Sequence, residues 1–286
     1  MPGYREFSCR SSDGLTLFCR EYLPATTAAR TVLCLPGLTR NSRDFEPLAR
    51  RLAKRYRVLT PDLRGRGQSA WDSDPAHYVP GTYCADVLEL LSGQVADPVA
   101  IIGTSLGGML AMMLAATHAP RVAGIVLNDI GPEVDAAGLA RIASYIGRGT
   151  ELHSWAEAVA AAQGNYAAAY PDLDAAGWLW WARAGYRQRD DGVIVADYDP
   201  RISGPVRAGN TQPPDMWKLW DLIAAVPVLA VRGALSDILS AATLRRMHER
   251  KSDLHSVTVP GRGHVPLLDE PLAVRALDAF LQQVLT

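Results

Sequence analysis

The chain has 286 residues, 48% of them hydrophobic, which is enough for one large α/β domain or for a core carrying a modest insert. Its 29 basic and 30 acidic residues leave a formal net charge of −1, which argues against nucleic acid or an anionic membrane as the partner. The opening Met1–Phe7 is polar, with no apolar stretch behind it, and no run of about 18 apolar residues occurs, so neither a signal peptide nor a membrane span is expected.

In chain order, Phe7–Cys9 and Leu15–Tyr22 read as opening strands, joined in a hairpin around Asp13-Gly14. Thr31–Leu35 is a continuous apolar run, the mark of a strand buried on both faces. Asp44–Lys54 has helical spacing, and the basic residues at 50, 51, 54, 55 and 57 read as a solvated helix face and its border. A strand at Arg57–Thr60, a helix at Thr82–Ser92, a strand at Val99–Ile102, a helix at Leu106–Thr117 and a strand at Ala123–Leu127 follow. That β-α rhythm predicts a mostly parallel sheet with helices on both faces. It breaks after Asp129: from Gly131 to about Ala224 the chain is rich in Ala and Trp, with helical stretches and few strand signals, and holds six of the seven tryptophans. The rhythm resumes with a strand at Val226–Val231, a helix at Ala241–Arg250, a strand at Ser256–Val259 and a helix at Leu272–Val284. The expectation is one α/β core built from residues 1–130 and 225–286, with residues 131–224 inserted as a mainly helical lid.

Gly103-Thr104-Ser105-Leu106-Gly107 matches G-x-S-x-G, and it lies between a predicted strand and a predicted helix. A serine on such a turn is exposed at the sheet edge, near the free N–H groups and positive end of the helix, while small neighbours let strand and helix approach closely. Ser105 is thus the candidate nucleophile. The four cysteines, Cys9, Cys19, Cys34 and Cys84, form no CxxC pair and no metal-ligand spacing, so reduced thiols and a cytoplasmic location are expected. No metal-ligand cluster such as H-E-x-x-H occurs, and Gly65-Arg66-Gly67 lacks the third glycine of a dinucleotide fingerprint, so no metal and no cofactor are expected.

These motifs, with Leu35-Pro36-Gly37-Leu38, Asp62-Leu63-Arg64-Gly65-Arg66-Gly67-Gln68-Ser69, Arg232-Gly233-Ala234-Leu235-Ser236-Asp237 and Gly261-Arg262-Gly263-His264, resemble the α/β-hydrolase family, and especially its lidded bacterial serine esterases, over nearly the whole length. The resemblance implies the α/β-hydrolase fold and the chain order serine, acid, histidine. Of six histidines, His264 is the one in a glycine-marked loop beyond a late strand, where open α/β sheets keep their chemistry, and it is the candidate base. Asp237 matches the family position of the acid, with Asp129, at the end of an earlier strand, as its rival. The resemblance also implies an oxyanion hole made by the backbone amides of Leu38 and Leu106. Pro36 departs from a frequent family pattern that has histidine before the glycine, which removes a side-chain donor and keeps the backbone one.

Arg40, with Asn41, is a candidate for contact with a polar substrate group, against a solvated loop as the plainer alternative. Trp178 and Trp181 are candidates for lining an apolar pocket, although most of the segment's aromatic residues are expected to form its own small core. The function expected is hydrolysis of a small or medium carboxylic ester, apolar or aromatic, through an acyl-enzyme. The alternatives are a lactone or diketone carbon–carbon bond cleaved by the same triad, and a ligand-binding protein on the same scaffold. Serine at 105, where aspartate would be needed, argues against epoxide hydrolase and dehalogenase chemistry.

Overall fold

The computed structural model describes residues 3–25, 29–149, 151–204 and 215–285. β1 (Arg5–Arg10) and β2 (Thr16–Tyr22) pair antiparallel from Arg10 opposite Thr16, and the tight turn between them is made by Gly14 at φ +84°. β2 continues antiparallel onto β4 (Arg57–Pro61). From there β4, β3 (Thr31–Leu35), β5 (Val99–Thr104), β6 (Val122–Asn128), β9 (Val228–Gly233) and β10 (His255–Val259) run parallel, completing an eight-stranded sheet in the order β1-β2-β4-β3-β5-β6-β9-β10.

The central strands are apolar throughout because both faces are covered. Leu33, Leu35 and Ile101 point into a layer shared with α2 (Pro80–Gln94), α3 (Leu106–Thr117), α7 (Met216–Leu222) and α8 (Ala241–Arg250). Their neighbours Val32, Cys34, Ala100 and Ile102 point the other way, onto α1 (Glu46–Leu52) and α9 (Pro271–Val284). Two boundaries differ from expectation for backbone reasons. The strand expected from Val226 starts at Val228, because Pro227 has no N–H to give to a ladder. The helix expected from Asp44 is a 3₁₀ turn over Ser42–Phe45 followed by α1, with Pro47 in the first turn, where an N–H is not needed.

β6 and β9 are hydrogen-bonded neighbours, yet about a hundred residues separate them in the chain, and the described ones add no strand to the main sheet. They form α4 (Ala136–Tyr145), α5 (Trp155–Tyr166), α6 (Ala175–Gly185) and a short hairpin of β7 (Tyr186–Gln188) and β8 (Ile194–Ala196). Ala162, Tyr170, Trp178 and Trp181 bury one another there, and Leu152, Ala158, Ala182 and Ile194 make a second small cluster. Polar contacts tie this segment to the core. Buried Asp197 accepts from Asn41 and Arg43, the Tyr78 hydroxyl donates to buried Asp199 at 2.7 Å, and the Tyr170 hydroxyl donates to the Val265 carbonyl at 2.7 Å.

Candidate active site

Ser105 sits between the last residue of β5 and the first of α3, at φ +52° and ψ −113°, a strained backbone for a residue with a side chain. The turn can close this sharply because of its glycines. A Cβ on Gly103 would overlap the Gly107 carbonyl, and one on Gly107 would overlap the Leu35 carbonyl of β3. The Ser105 N–H donates to the Asn128 carbonyl at 3.1 Å, while its own carbonyl accepts from Gly108 and Met109 as the helix begins.

His264 lies in the loop between β10 and α9, and its Nε2 is 2.9 Å from Ser105 Oγ. Its neighbours hold that loop: Gly263 donates to the Ala169 carbonyl at 2.8 Å, Val265 accepts from Tyr170, and Pro266 accepts from Asn128 Nδ2 at 3.0 Å. On its far side His264 Nδ1 is 2.8 Å from Oδ2 of Asp129, the residue immediately after β6, which is fully buried. The same oxygen accepts from the Ser236 hydroxyl at 2.5 Å, and Oδ1 accepts from the Gly233 N–H at 2.8 Å. Ser236 Oγ in turn accepts from the amides of Ile238 and Leu239.

The acid expected at Asp237 is therefore corrected: the carboxylate that reaches His264 is that of Asp129. Asp237 turns instead to Arg141 of α4, in a two-point ion pair at 2.5 and 2.8 Å. That guanidinium holds the Asp237 carboxyl below the usual carboxylate range. Both aspartates follow neighbouring parallel strands, and the loop after β9 leads Asp237 past the histidine to the inserted segment.

Leu38 and Leu106 both line the cavity that holds Ser105. The Leu106 amide opens α3 and has no residue four before it in the helix to bond. The loop carrying Leu38 abuts the serine, since a Cβ on Gly37 would be 3.9 Å from Ser105 Cβ. Arg66, fully buried, donates from Nε to the Leu38 carbonyl at 3.0 Å and from Nη1 to the Arg64 carbonyl and the Tyr83 hydroxyl. Nothing in its local sequence separates this buried role from a solvated loop arginine.

Arg40 and Asn41 are not in a solvated loop. Arg40 is clamped by Asp44 at 2.6 and 2.7 Å and stacks over Trp181 at 4.2 Å, while Asn41 is fully buried and donates to the Ala184 carbonyl. Trp181 lines the space beside Ser105, whereas Trp178 packs against Tyr170 inside the segment's own cluster. The tryptophan pair thus splits between wall and core.

Two larger cavities meet at this point. An apolar one of about 480 Å³ is lined by Ser105, Leu106, Met109, Val134, Leu139 and Ile142, among others. A polar one of about 360 Å³ lies under Tyr145, Arg148, Tyr166 and Trp181. A smaller space lined by Ser105, His264, Arg40 and Tyr166 shares Leu38, Ser105 and Ile142 with the first and Arg40, Tyr145, Tyr166 and Trp181 with the second. Among the described residues Asp13, Asp72 and His77 group their ligand atoms closely, but the Arg64 guanidinium already sits on both aspartates at 2.6–2.8 Å, and none of the three lines the cavities at Ser105.

Residues 32–277 match the model of the alpha/beta hydrolase family. The chain is 32% identical over 280 residues to a 3-hydroxybutyrate-oligomer hydrolase of Cupriavidus necator, covering 95% of each. It is 28% identical over 256 residues to a 2-(acetamidomethylene)succinate hydrolase of Mesorhizobium japonicum, covering 87% of each. Among solved structures, an alpha/beta hydrolase of Novosphingobium aromaticivorans superposes with a TM-score of 0.94 at 44% identity, over 99% of this chain and 100% of that one. Sheet order, serine turn and relatives agree, and the chain belongs to the alpha/beta hydrolase family.

Proposed function

We propose that the protein is a serine hydrolase of small or medium carboxylic esters, with Ser105 as nucleophile, His264 as base and Asp129 as the acid that orients it. The observation that carries this reading is the unbroken chain Ser105 Oγ to His264 Nε2 at 2.9 Å and His264 Nδ1 to Asp129 Oδ2 at 2.8 Å. In the first half-reaction Ser105 Oγ adds to the ester carbonyl as Nε2 takes its proton. The negative charge forms on the carbonyl oxygen, against the amides of Leu38 and Leu106. Collapse expels the alcohol, protonated by His264, and leaves an acyl-Ser105 ester. Water, activated by the same nitrogen, releases the acid in the second half. Asp129 holds the tautomer that leaves Nε2 free to accept and stabilises the imidazolium between steps.

In this reading the segment 131–224 is a lid: Tyr145, Tyr166 and Trp181 from it form walls of the space beside Ser105. No helix among the described residues is long and apolar enough to cross a membrane. A cytoplasmic setting, where Cys19 and Cys34 stay reduced, suits the four unpaired thiols. The relative named for 2-(acetamidomethylene)succinate, a name without an ester in it, favours a second reading in which the same triad acts on a bond other than an ester.

The test is hydrolysis of p-nitrophenyl esters from acetate to long acyl chains, with wild type beside Ser105→Ala. Turnover lost in the variant is the expected result. No turnover by wild type on any ester would remove the ester reading and direct the search to lactones, diketones and binding without turnover.

A further inference from the structure

We propose that Tyr170, a residue of the inserted segment, is the positioning residue that aims His264 at Ser105, and that Glu270 braces the same loop from the other side. This rests on the serine-hydrolase reading of the site, since the aim matters only if His264 takes the proton of Ser105.

His264 sits between β10, which ends at Val259, and α9, which begins at Pro271, so neither a sheet ladder nor a helix fixes its backbone. Its Nε2 stays 2.9 Å from Ser105 Oγ only if its chain neighbours are held. Val265, the next residue, gives both of its backbone polar groups to one side chain. The Tyr170 hydroxyl donates to its carbonyl at 2.7 Å and accepts from its N–H at 3.2 Å. A hydroxyl has one proton and two lone pairs, so tyrosine can do both where phenylalanine can do neither. On the other side of His264, Gly263 donates to the Ala169 carbonyl at 2.8 Å, and a Cβ added to it would come within 3 Å of Ala169. Residues 169 and 170 thus hold the backbone immediately before and immediately after the base.

Tyr170 is itself a fixed post. It is 1% exposed, with its ring packed 4.9 Å from that of Trp181 and 6.1 Å from that of Trp178. Opposite it, a single oxygen of buried Glu270 joins the two flanks of the loop. Oε1 accepts from Arg262 Nε at 2.8 Å and from the Leu267 N–H at 2.9 Å, so it links the residue two before His264 to the one three after. Arg262 also pairs with Asp172 of the inserted segment. The histidine loop is gripped between that segment and the start of α9, and removing the Tyr170 hydroxyl strips two backbone groups beside the base of their partner. The segment therefore serves the proton transfer as well as walling the cavities.

Tyr170→Phe keeps the ring and removes the hydroxyl. On p-nitrophenyl butyrate its kcat is expected to fall about tenfold to a hundredfold, with KM changed less than about threefold. Ile194→Val, which trims a buried residue of the segment's other cluster, controls for lost stability: it should lower Tm and leave kcat within about twofold. Proton NMR reads the same relationship without turnover. The far-downfield resonance of the His264 Nδ1 proton facing Asp129 should be present in wild type and Ile194→Val and broaden away in Tyr170→Phe. From the other side, Glu270→Ala should repeat the split between kcat and KM, and Glu270→Gln, which keeps an oxygen for Arg262 and Leu267, should restore most of kcat. Wild-type kcat in Tyr170→Phe, or losses that track Tm alike in Tyr170→Phe and Ile194→Val, would overturn the proposal. Should Tyr170→Phe fail to fold, the Glu270 pair decides, and wild-type kcat in Glu270→Ala overturns it. A wild type that cleaves no ester, but whose resonance is lost in Tyr170→Phe, would instead overturn the ester reading and leave the positioning role standing.

Discussion

His264 and Asp129 meet at 2.8 Å where no solvent reaches the carboxylate, and Gly233 and Ser236 hold that carboxylate in place. An asparagine at 129 can keep the Gly233 bond, but its amide nitrogen facing His264 Nδ1 favours the tautomer with the proton on Nε2. That nitrogen can no longer accept from Ser105. Asp129→Asn is expected to lower kcat by on the order of 10⁴, with KM little changed, whereas Asp237→Asn should lower kcat by less than about threefold. Steady-state kinetics on p-nitrophenyl butyrate decide; a loss concentrated in Asp237→Asn would return the acid to 237.

The sheet was legible because its central strands are apolar on both faces and its helices are either amphipathic, as Ala241–Arg250 and Pro271–Val284 are, or apolar nearly all round, as Leu106–Thr117 is, signals that need no tertiary information. Leu106–Thr117 and Ala241–Arg250 keep their expected bounds, since a turn glycine or a capping Ser240 marks their starts. Ser105 and His264 were legible as glycine-marked turns beyond strands. The carboxylate that faces His264 was not: Asp129 and Asp237 both follow parallel strands, and only the path of the loop after β9 decides which reaches the histidine. Arg66 and Asn41 carry no local sign of burial, because their partners lie in distant segments: Leu38 and Tyr83 for one, Ala184 for the other.

The Asp237–Arg141 pair joins α4 to the loop after β9, and its carboxyl is held below the ordinary 3.8. A lowered acid contributes stability that is fully present above the ordinary value and is lost as pH falls through the folded one. About a third of each side chain is exposed, so the contribution is at most about 1 kcal/mol after solvent screening. The difference in Tm between wild type and Asp237→Asn should be about 2–4 °C or less at pH 6 and shrink as the pH is lowered past the ordinary carboxylate value. A difference that grows on acidification contradicts this account.

Arg66 is buried without an acidic partner among the described residues, and it spends its Nε on the carbonyl of Leu38, whose amide is proposed for the oxyanion hole. Arg66→Met leaves the Leu38 carbonyl unpartnered in the interior, at a cost of about 1–3 kcal/mol, and frees the loop to turn its amide away. The expected result is a tenfold to hundredfold loss in kcat, with KM changed less, because the amide matters most once charge develops on the substrate oxygen. A variant that loses stability but keeps kcat would make Arg66 purely structural.

Burial raises the thiol of Cys9, pushes that of Cys84 up to about 12, and raises those of Cys19 and Cys34 further. A raised thiol stays protonated at pH 8, where the reactive thiolate is scarce. Ellman's reagent at pH 8 should therefore find no fast thiol in the native protein and four in guanidinium. A stoichiometric burst from the folded chain would show that one of these sites opens readily.

Two glycines in helices make opposite predictions from the same chemistry. Gly107 opens α3 against β3, and an added Cβ there would overlap the Leu35 carbonyl, a backbone atom that cannot swing aside. Gly107→Ala must push α3 off the sheet, costing about 1–3 kcal/mol or more. Because Ser105 is the turn residue between β5 and this helix, the shift also moves Oγ away from His264, and kcat should fall with stability. Gly93 lies in the last turn of α2, where an added Cβ meets nothing within 4 Å. There alanine only removes freedom from the unfolded chain and adds helix propensity, so Gly93→Ala should raise stability by about 0.5–1 kcal/mol and leave kcat unchanged. Urea unfolding of both variants, with kinetics alongside, separates the two effects; a harmless Gly107→Ala would mean that strand and helix do not pack as tightly as the serine turn requires.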